Sequence, residues 1–146
     1  MDKIIKPINN ELKKFEKIYN NSFSGDTKLF LKISNYMFSN SGKKLRPILV
    51  FLISGLVGQI NKKTYVAATL IELLHLATLI HDDVVDDANF RRKSFSINNL
   101  WKNKLAVLMG DFFLAQGLKI ALKENTEKML LYTSNAVQKM AMGEIM

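Results

Sequence analysis

From Tyr65 to Ile80 almost every residue is Ala, Leu, Ile, Val or Thr; Glu72 and His75 interrupt the run, which closes on His81-Asp82-Asp83-Val84-Val85-Asp86-Asp87. Few structures suit such a segment. From Lys62 to Asp87 it predicts one helix, about 39 Å long at the usual rise per residue. Being apolar around most of its circumference, that helix should be the central and most buried one. Its end is unusual. Asp82 and Asp86 stand four residues apart, which puts their carboxylates on one face about 5–6 Å from each other. They repel, and the negative end of the helix dipole disfavours them further. Each effect is a few tenths of a kcal/mol, so the arrangement is allowed but asks for a cation. A run of acids at a helix end is most often a solvated turn; here the apolar run before it marks the mouth of something buried. Magnesium suits the site, because it takes one or two protein carboxylates and completes its shell with water and phosphate oxygens. Arg91, Arg92 and Lys93 follow at once and would face the same phosphates. The stretch reads as half of a metal-diphosphate site.

With 146 residues, 48% of them hydrophobic, the chain is one domain or a piece of one, with material for a real core. Seven Gly and two Pro leave little turn chemistry and favour helices, so the fold class is all-α. The absence of cysteine excludes disulfides and thiolate zinc sites and is compatible with a reducing cytoplasm. The formal charge of +8 admits nucleic acid, an anionic membrane or a polyanionic small substrate. No basic stripe is interleaved with aromatics, so no nucleic acid partner is expected. The N-terminus lacks the apolar run of a signal peptide. The longest uncharged stretch, Pro47 to Asn61, is shorter than the ~20 residues of a transmembrane helix, so no such segment is expected.

The remaining helices follow from periodicity. Ile8, Leu12, Phe15 and Tyr19 predict an amphipathic helix over Pro7–Asn20, with Pro7 in its first turn. Leu29, Phe30, Ile33, Tyr36 and Met37 mark a second, with Ser24 or Asp26 as its cap. A third, Ile48–Val57, is apolar on all sides, which predicts burial, and Gly58 is its stop. Lys43 and Arg46 lie at its N-terminal mouth, where free N–H groups and the dipole favour an anion; taken alone they also read as an ordinary basic cap. On the central helix His75 is two turns before Asp82 and about 20° out of phase with it, so both are expected on a shared face. Ser94–Asn99 reads as a polar connection, Leu100 to Lys123 as a fifth helix carrying Asp111, and Glu127 onwards as a sixth, capped by Asn125-Thr126.

Together these residues resemble the trans-isoprenyl (polyprenyl) diphosphate synthase family. Gly42-Lys43-Lys44-Leu45-Arg46-Pro47 is similar to its GKxxRP box and His75–Asp86 to its first aspartate-rich motif in the form without an insertion. Arg91-Arg92 resembles the arginine pair that follows, and Gly110-Asp111-Phe112 and Gly143-Glu144 two further landmarks. A lone DDxxD is weak; five landmarks in order are strong. The resemblance implies an isoprenoid-synthase-type helical bundle. It implies that isopentenyl diphosphate is condensed with an allylic prenyl diphosphate. In it, Asp82 and Asp86 ligate magnesium, Asp83 supports them and Arg91 contacts the allylic diphosphate. Lys43, Arg46, His75 and Arg92 hold isopentenyl diphosphate. Residues four and five before the first aspartate floor the product tunnel in this family. Here they are Thr78 and Ala77, which are small, so a long-chain (octaprenyl- or decaprenyl-like) product for a quinone side chain is expected. The resemblance also implies a cytoplasmic protein, drawn to the membrane periphery by a lipophilic product, and a homodimer or an association with a complementary half. The family carries a second aspartate-rich motif facing the first, and this chain ends before it. Residues 1–146 are therefore read as a single, truncated synthase domain, catalytically incomplete alone and exposing contiguous apolar surface.

Two other functions compete. An HD-type metal phosphohydrolase would use His75, His81-Asp82 and later aspartates, yet it usually needs a histidine further upstream, and these are the only two. A non-catalytic regulatory subunit would bind a full-length synthase through the open face of its half-bundle; the intact acid and arginine motifs argue mildly against it.

Overall fold

The computed structural model describes residues 2–23, 27–40, 42–91 and 94–145, with the side chains of all of these except Asp2, Phe38, Arg91, Glu144 and Ile145. The order is α1 (Asp2–Ile5), a 3-10 turn (Lys6–Ile8), α2 (Asn9–Asn21), α3 (Lys28–Ser39), α4 (Leu45–Val57), α5 (Lys62–Val85), β1 (Phe90–Arg91), β2 (Ser94–Phe95), α6 (Ile97–Lys123) and α7 (Glu127–Ile145). The all-α class holds, and α2 to α7 are the expected helices. One antiparallel ribbon, with Phe90 opposite Phe95, interrupts what reads as a polar connection.

As its composition predicts, α5 is the central helix. It starts at a capping box: the Asn61 side chain accepts from the Lys63 N–H at 2.9 Å, and the Asn61 N–H donates to the Thr64 hydroxyl at 3.2 Å. Val66, Ala68, Leu70, Leu73, Leu74, Ala77 and Ile80 along it are buried. Its main partner is α6, and two α6 glycines seven residues apart explain the close approach. A Cβ on Gly117 would stand 3.2 Å from Leu70 Cδ1, and one on Gly110 would stand 2.3 Å from His81 Nε2. On the other side α4 and α2 pack through Phe15, Phe51 and Tyr65, with ring centroids 5.9 and 5.1 Å apart along that chain. The short helix α3 is anchored by Ile33, by Phe30 against Phe112 at 4.5 Å, and by Tyr36 against Trp101 at 5.3 Å. By length and composition both α5 and α6 could cross a membrane; in this fold α5 is the core of the bundle, which requires the same apolar character.

Three expectations need correction. The first helix does not begin at Pro7: Pro7 lies in a 3-10 turn that separates α1 from α2. The helix α4 begins at Leu45, and it is not buried on all sides, because Leu49, Ile53, Leu56 and Val57 are exposed. The helix α6 begins at Ile97 rather than Leu100 and is kinked at Lys102, whose φ of 71° and ψ of 154° are non-helical. Thr126 stands directly before α7 and its carbonyl accepts the Leu130 N–H at 3.3 Å, while its hydroxyl donates back to Ala121 O at 2.8 Å. Ser24 and Asp26 lie outside the described residues, and the bond that caps α3 there runs from the Phe30 N–H to Thr27 Oγ1 at 3.3 Å.

Candidate functional site

Beside α5 lies a cavity of about 360 Å³ walled by Lys43 and Arg46 from the start of α4, by Glu72, His75 and Asp83 from α5, and by Tyr36 from α3. The sequence folds this way because the Gly42–Lys44 segment must turn sharply into α4. Lys44 takes a left-handed conformation (φ 48°), and its side chain makes no cap bond; no other side chain among the described residues caps the helix. The first N–H groups of α4 are therefore left for a ligand. Lys44 is itself occupied, 3.3 Å from Glu16 and with its ammonium 5.7 Å from the Tyr19 ring centroid. Lys43 and Arg46 are exposed and form no ion pair among the described residues. Burial pushes the Tyr19 phenol above its ordinary range, and the Glu72 charge adds to this, so Tyr19 remains a neutral wall of the cavity.

Lys43, Arg46 and His75, expected to hold one diphosphate, thus come together on one cavity. Asp82 and Asp86 do not line it. Asp83 is buried on the cavity wall, while Asp82 and Asp86 are exposed on the adjoining face. Consecutive helical residues differ by about 100°, so Asp82 and Asp83 serve neighbouring sides of one helix. His75 and Asp82 stay on one side of α5, two turns apart and about 20° out of phase, but only His75 reaches the cavity, together with Asp83. Asp86 is the C-cap residue of α5, and its N–H donates to Asp82 O at 2.8 Å. Neither Asp82 nor Asp86 forms an ion pair among the described residues. No cluster of three or more metal-ligating side chains exists among the described residues. Two exposed carboxylates one turn apart, without an ion pair among the described residues, fit magnesium, whose shell is completed by water and phosphate oxygens.

His81 behaves differently from His75. Its ring lies on Gly110, with Nε2 3.4 Å from Val107 O and 3.4 Å from Asp111 Oδ1. The two histidines face different sides, which removes the geometry an HD-type phosphohydrolase needs. Asp111, part of the Gly110-Asp111-Phe112 landmark, ties α6 to α5 through His81, next to the acids. Ala77 is buried in the core, and Thr78 is half-buried with its hydroxyl donating to His75 O at 3.0 Å. Neither lines the cavity. The Arg91 backbone pairs in the ribbon; its side chain, and all of Arg92 and Lys93, lie outside the described residues.

Sequence reasoning missed Ser96 and Asn98. Asn98 is buried, and its amide donates to Asp83 O and to Ala88 O, both at 3.1 Å. Ser96, also buried, donates its hydroxyl to Ala88 O. A Ser-x-Asn directly before an apolar helical run was the available signal.

The polyprenyl synthetase family matches residues 27–146. The chain is 35% identical over 140 residues to heptaprenyl diphosphate synthase component 2 of Bacillus subtilis, covering 94% of this chain and 40% of that protein. It is 34% identical over 123 residues to octaprenyl diphosphate synthase of Escherichia coli, covering 84% and 38%. The polyprenyl synthase of Caulobacter crescentus CB15, solved with calcium and isoprenyl diphosphate, superposes with a TM-score of 0.91 at 26% identity over 99% of this chain and 44% of that one. The decaprenyl diphosphate synthase of Rhodobacter capsulatus gives 0.90 at 27% identity, over 99% and 45%. The chain spans about 40% of the length of the curated relatives it matches.

Proposed function

This chain belongs to the polyprenyl synthetase family, and we propose that it builds one wall of a prenyltransferase site that condenses isopentenyl diphosphate with an allylic diphosphate into a long-chain all-trans polyprenyl diphosphate. The observation that carries this is a division along α5: a cavity where Lys43 and Arg46 stand beside His75, and past its edge the exposed Asp82 and Asp86, all four charged groups without an ion pair among the described residues. Two subsites for two diphosphates need this division. Lys43, Arg46, His75 and Arg92 orient isopentenyl diphosphate, with the open N-terminus of α4 behind them. Asp82 and Asp86 hold magnesium, Asp83 supports them, and Arg91 meets the allylic diphosphate. Magnesium supplies charge stabilisation for the departing diphosphate. Leu76, Leu79 and Ile80 line the cavity beside these groups and keep water from a reacting allylic cation. By resemblance the small side chains at Ala77 and Thr78 favour a long product, in a tunnel apart from this cavity, which neither of them lines. Because one acid motif grips the allylic diphosphate from one side, residues 1–146 alone lack synthase-level turnover. The exposed row of Leu49, Ile53, Leu56 and Val57 supports association, either as a homodimer or with a complementary half.

Calorimetry tests the division. Lys43→Ala or His75→Ala should weaken isopentenyl diphosphate about 10–100-fold, the worth of one charge-assisted hydrogen bond, whereas Asp82→Ala should leave that affinity intact. Equal damage from both kinds of variant would sink the two-subsite reading. A monomer of residues 1–146 turning over at synthase level would sink the one-sided grip.

A further inference from the structure

We infer that Asn98 and Ser96 are positioning residues for the acid-bearing turn: from the start of α6 they clamp the carbonyls that end α5 and thereby fix Asp86 against Asp82. The inference rests on reading those two aspartates as metal ligands.

The last turn of a helix leaves carbonyls without partners. In α5 the backbone meets part of this need. Asp87 turns left-handed (φ 49°), the Ala88 N–H donates to Asp83 O at 2.9 Å, and the Asp87 N–H donates to Val84 O at 3.3 Å. This is a Schellman ending, made without the glycine that usually takes the left-handed position. It is also an ending under stress, since Asp82, Asp83, Asp86 and Asp87 crowd the negative end of the dipole. The helix α6 supplies what holds it. The two N–H bonds of the Asn98 amide diverge to Asp83 O, inside the last turn, and to Ala88 O, beyond it. One rigid side chain thus spans the turn that carries Asp86. The Ser96 hydroxyl adds a bond to Ala88 O, and its N–H bonds Asn89 O at 3.1 Å.

Both residues give up a local preference to do this. Ser96 is the N-cap residue of α6, where a hydroxyl normally bonds its own helix, yet it makes no such bond. Asn98 buries its Oδ1 with no partner among the described residues, a penalty that an apolar residue of similar shape would avoid. Neither choice helps α6. Each makes sense only for the donors presented to the acid turn.

The test uses the full chain, with manganese as a paramagnetic stand-in for magnesium and inorganic diphosphate as the anion. Electron paramagnetic resonance reads manganese affinity, and amide hydrogen exchange reads the turn at Asp87 and Ala88. Asn98→Ala should speed exchange at those amides and weaken manganese about 10–100-fold, the usual effect of losing an outer-shell partner. Ser96→Ala should shift both in the same direction by less, and it carries the comparison if Asn98→Ala does not fold. Thr126→Ala removes a buried bond at the far end of α6; it should lower the melting temperature and leave manganese affinity unchanged, which separates positioning from general stability. Wild-type manganese binding that neither clamp variant weakens would overturn the positioning role alone. A wild-type chain that binds no manganese would instead refute the ligand reading of Asp82 and Asp86.

Discussion

Gly110→Ala gives a test in which the sign of a stability change depends on one side chain elsewhere. A Cβ at Gly110 would sit 2.3 Å from Nε2, 2.6 Å from Cδ2 and 3.0 Å from Cε1 of His81. Carbon contacts settle at about 3.5–4.0 Å, so the imidazole must move by more than 1 Å or the two helices must part. The ring is the far end of a side chain 35% exposed, so swinging outward is the cheaper course. It forfeits the contacts to Val107 O and Asp111. Overpacking of this kind costs about 1–3 kcal/mol. Against it, alanine is favoured over glycine within a helix by about 1 kcal/mol. The net expectation is a loss of about 0–2 kcal/mol in the wild-type background. In a His81→Ala background the clash is gone and only the helix preference remains, so Gly110→Ala should stabilise by up to about 1 kcal/mol. The coupling energy between the two positions is then about 1–3 kcal/mol, as expected for groups in contact. Urea denaturation of the wild type, both single variants and the double variant measures it. If Gly110→Ala destabilises the His81→Ala protein as much as the wild type, the ring-on-glycine packing is not what closes α5 onto α6.

Two backbone positions should gain from glycine. Lys102 sits in a region reserved almost wholly for glycine, a strain of about 1–3 kcal/mol, so Lys102→Gly should raise the melting temperature despite its helical setting. Asp87→Gly should do so by a smaller margin, since aspartate tolerates the left-handed region better; a fall in either variant would contradict the strain assignment. The Tyr65 hydroxyl donates to Glu11, and burial first, then that bond, raises the phenol from 10.0 to about 12. A raised value in the fold means stability that is complete below pH 10 and lost as pH climbs towards 12. The same bond lowers the Glu11 carboxyl, giving stability that is present above the ordinary glutamate value and lost as pH falls through the lowered one. Melting curves across pH should therefore show Tyr65→Phe with weaker dependence at both ends, with the buried Tyr19 phenol still contributing to the alkaline loss; an unchanged profile would refute the pairing.

The position of α5 was legible because an almost wholly apolar run leaves a chain one place to go; the capping box of Asn61 and Thr64 at its start came only with the structure. Lys43, Arg46 and His75 on the cavity were also legible, His75 as a polar residue in an apolar run and the two basic residues through the resemblance, since alone they read as an ordinary cap. What stayed hidden depends on partners far along the chain. Phe95 pairs with Phe90 at 4.8 Å and accepts from Tyr36 at 2.8 Å, contacts that make a ribbon from residues that read as a loop. Asn98 looks like linker polarity until its two acceptors are known. Periodicity described α4 as apolar all round, but it cannot say which stripe this chain covers, and Leu49 and Ile53 remain uncovered. The side of α5 on which each aspartate falls was calculable from 100° per residue; that the cavity would open towards Asp83 rather than Asp82 depended on where α3 and α4 pack.

The pairing of α5 with α6 also bears on the order in which the chain folds. These helices are neighbours in sequence, joined only by the acid turn and the ribbon, and they make the main contact of the bundle. Contacts of low sequence separation lose the least chain entropy on closing and tend to form first. The pair α4 and α5 is at least as local but makes the smaller contact, so the hairpin of α5 and α6 is the expected nucleus, with α2 and α4 condensing onto it afterwards. Its closing point is the segment from Asp86 to Asn98. The carboxylates are therefore brought into register at the start of folding, before the basic loop at Lys43 and Arg46 arrives to complete the cavity.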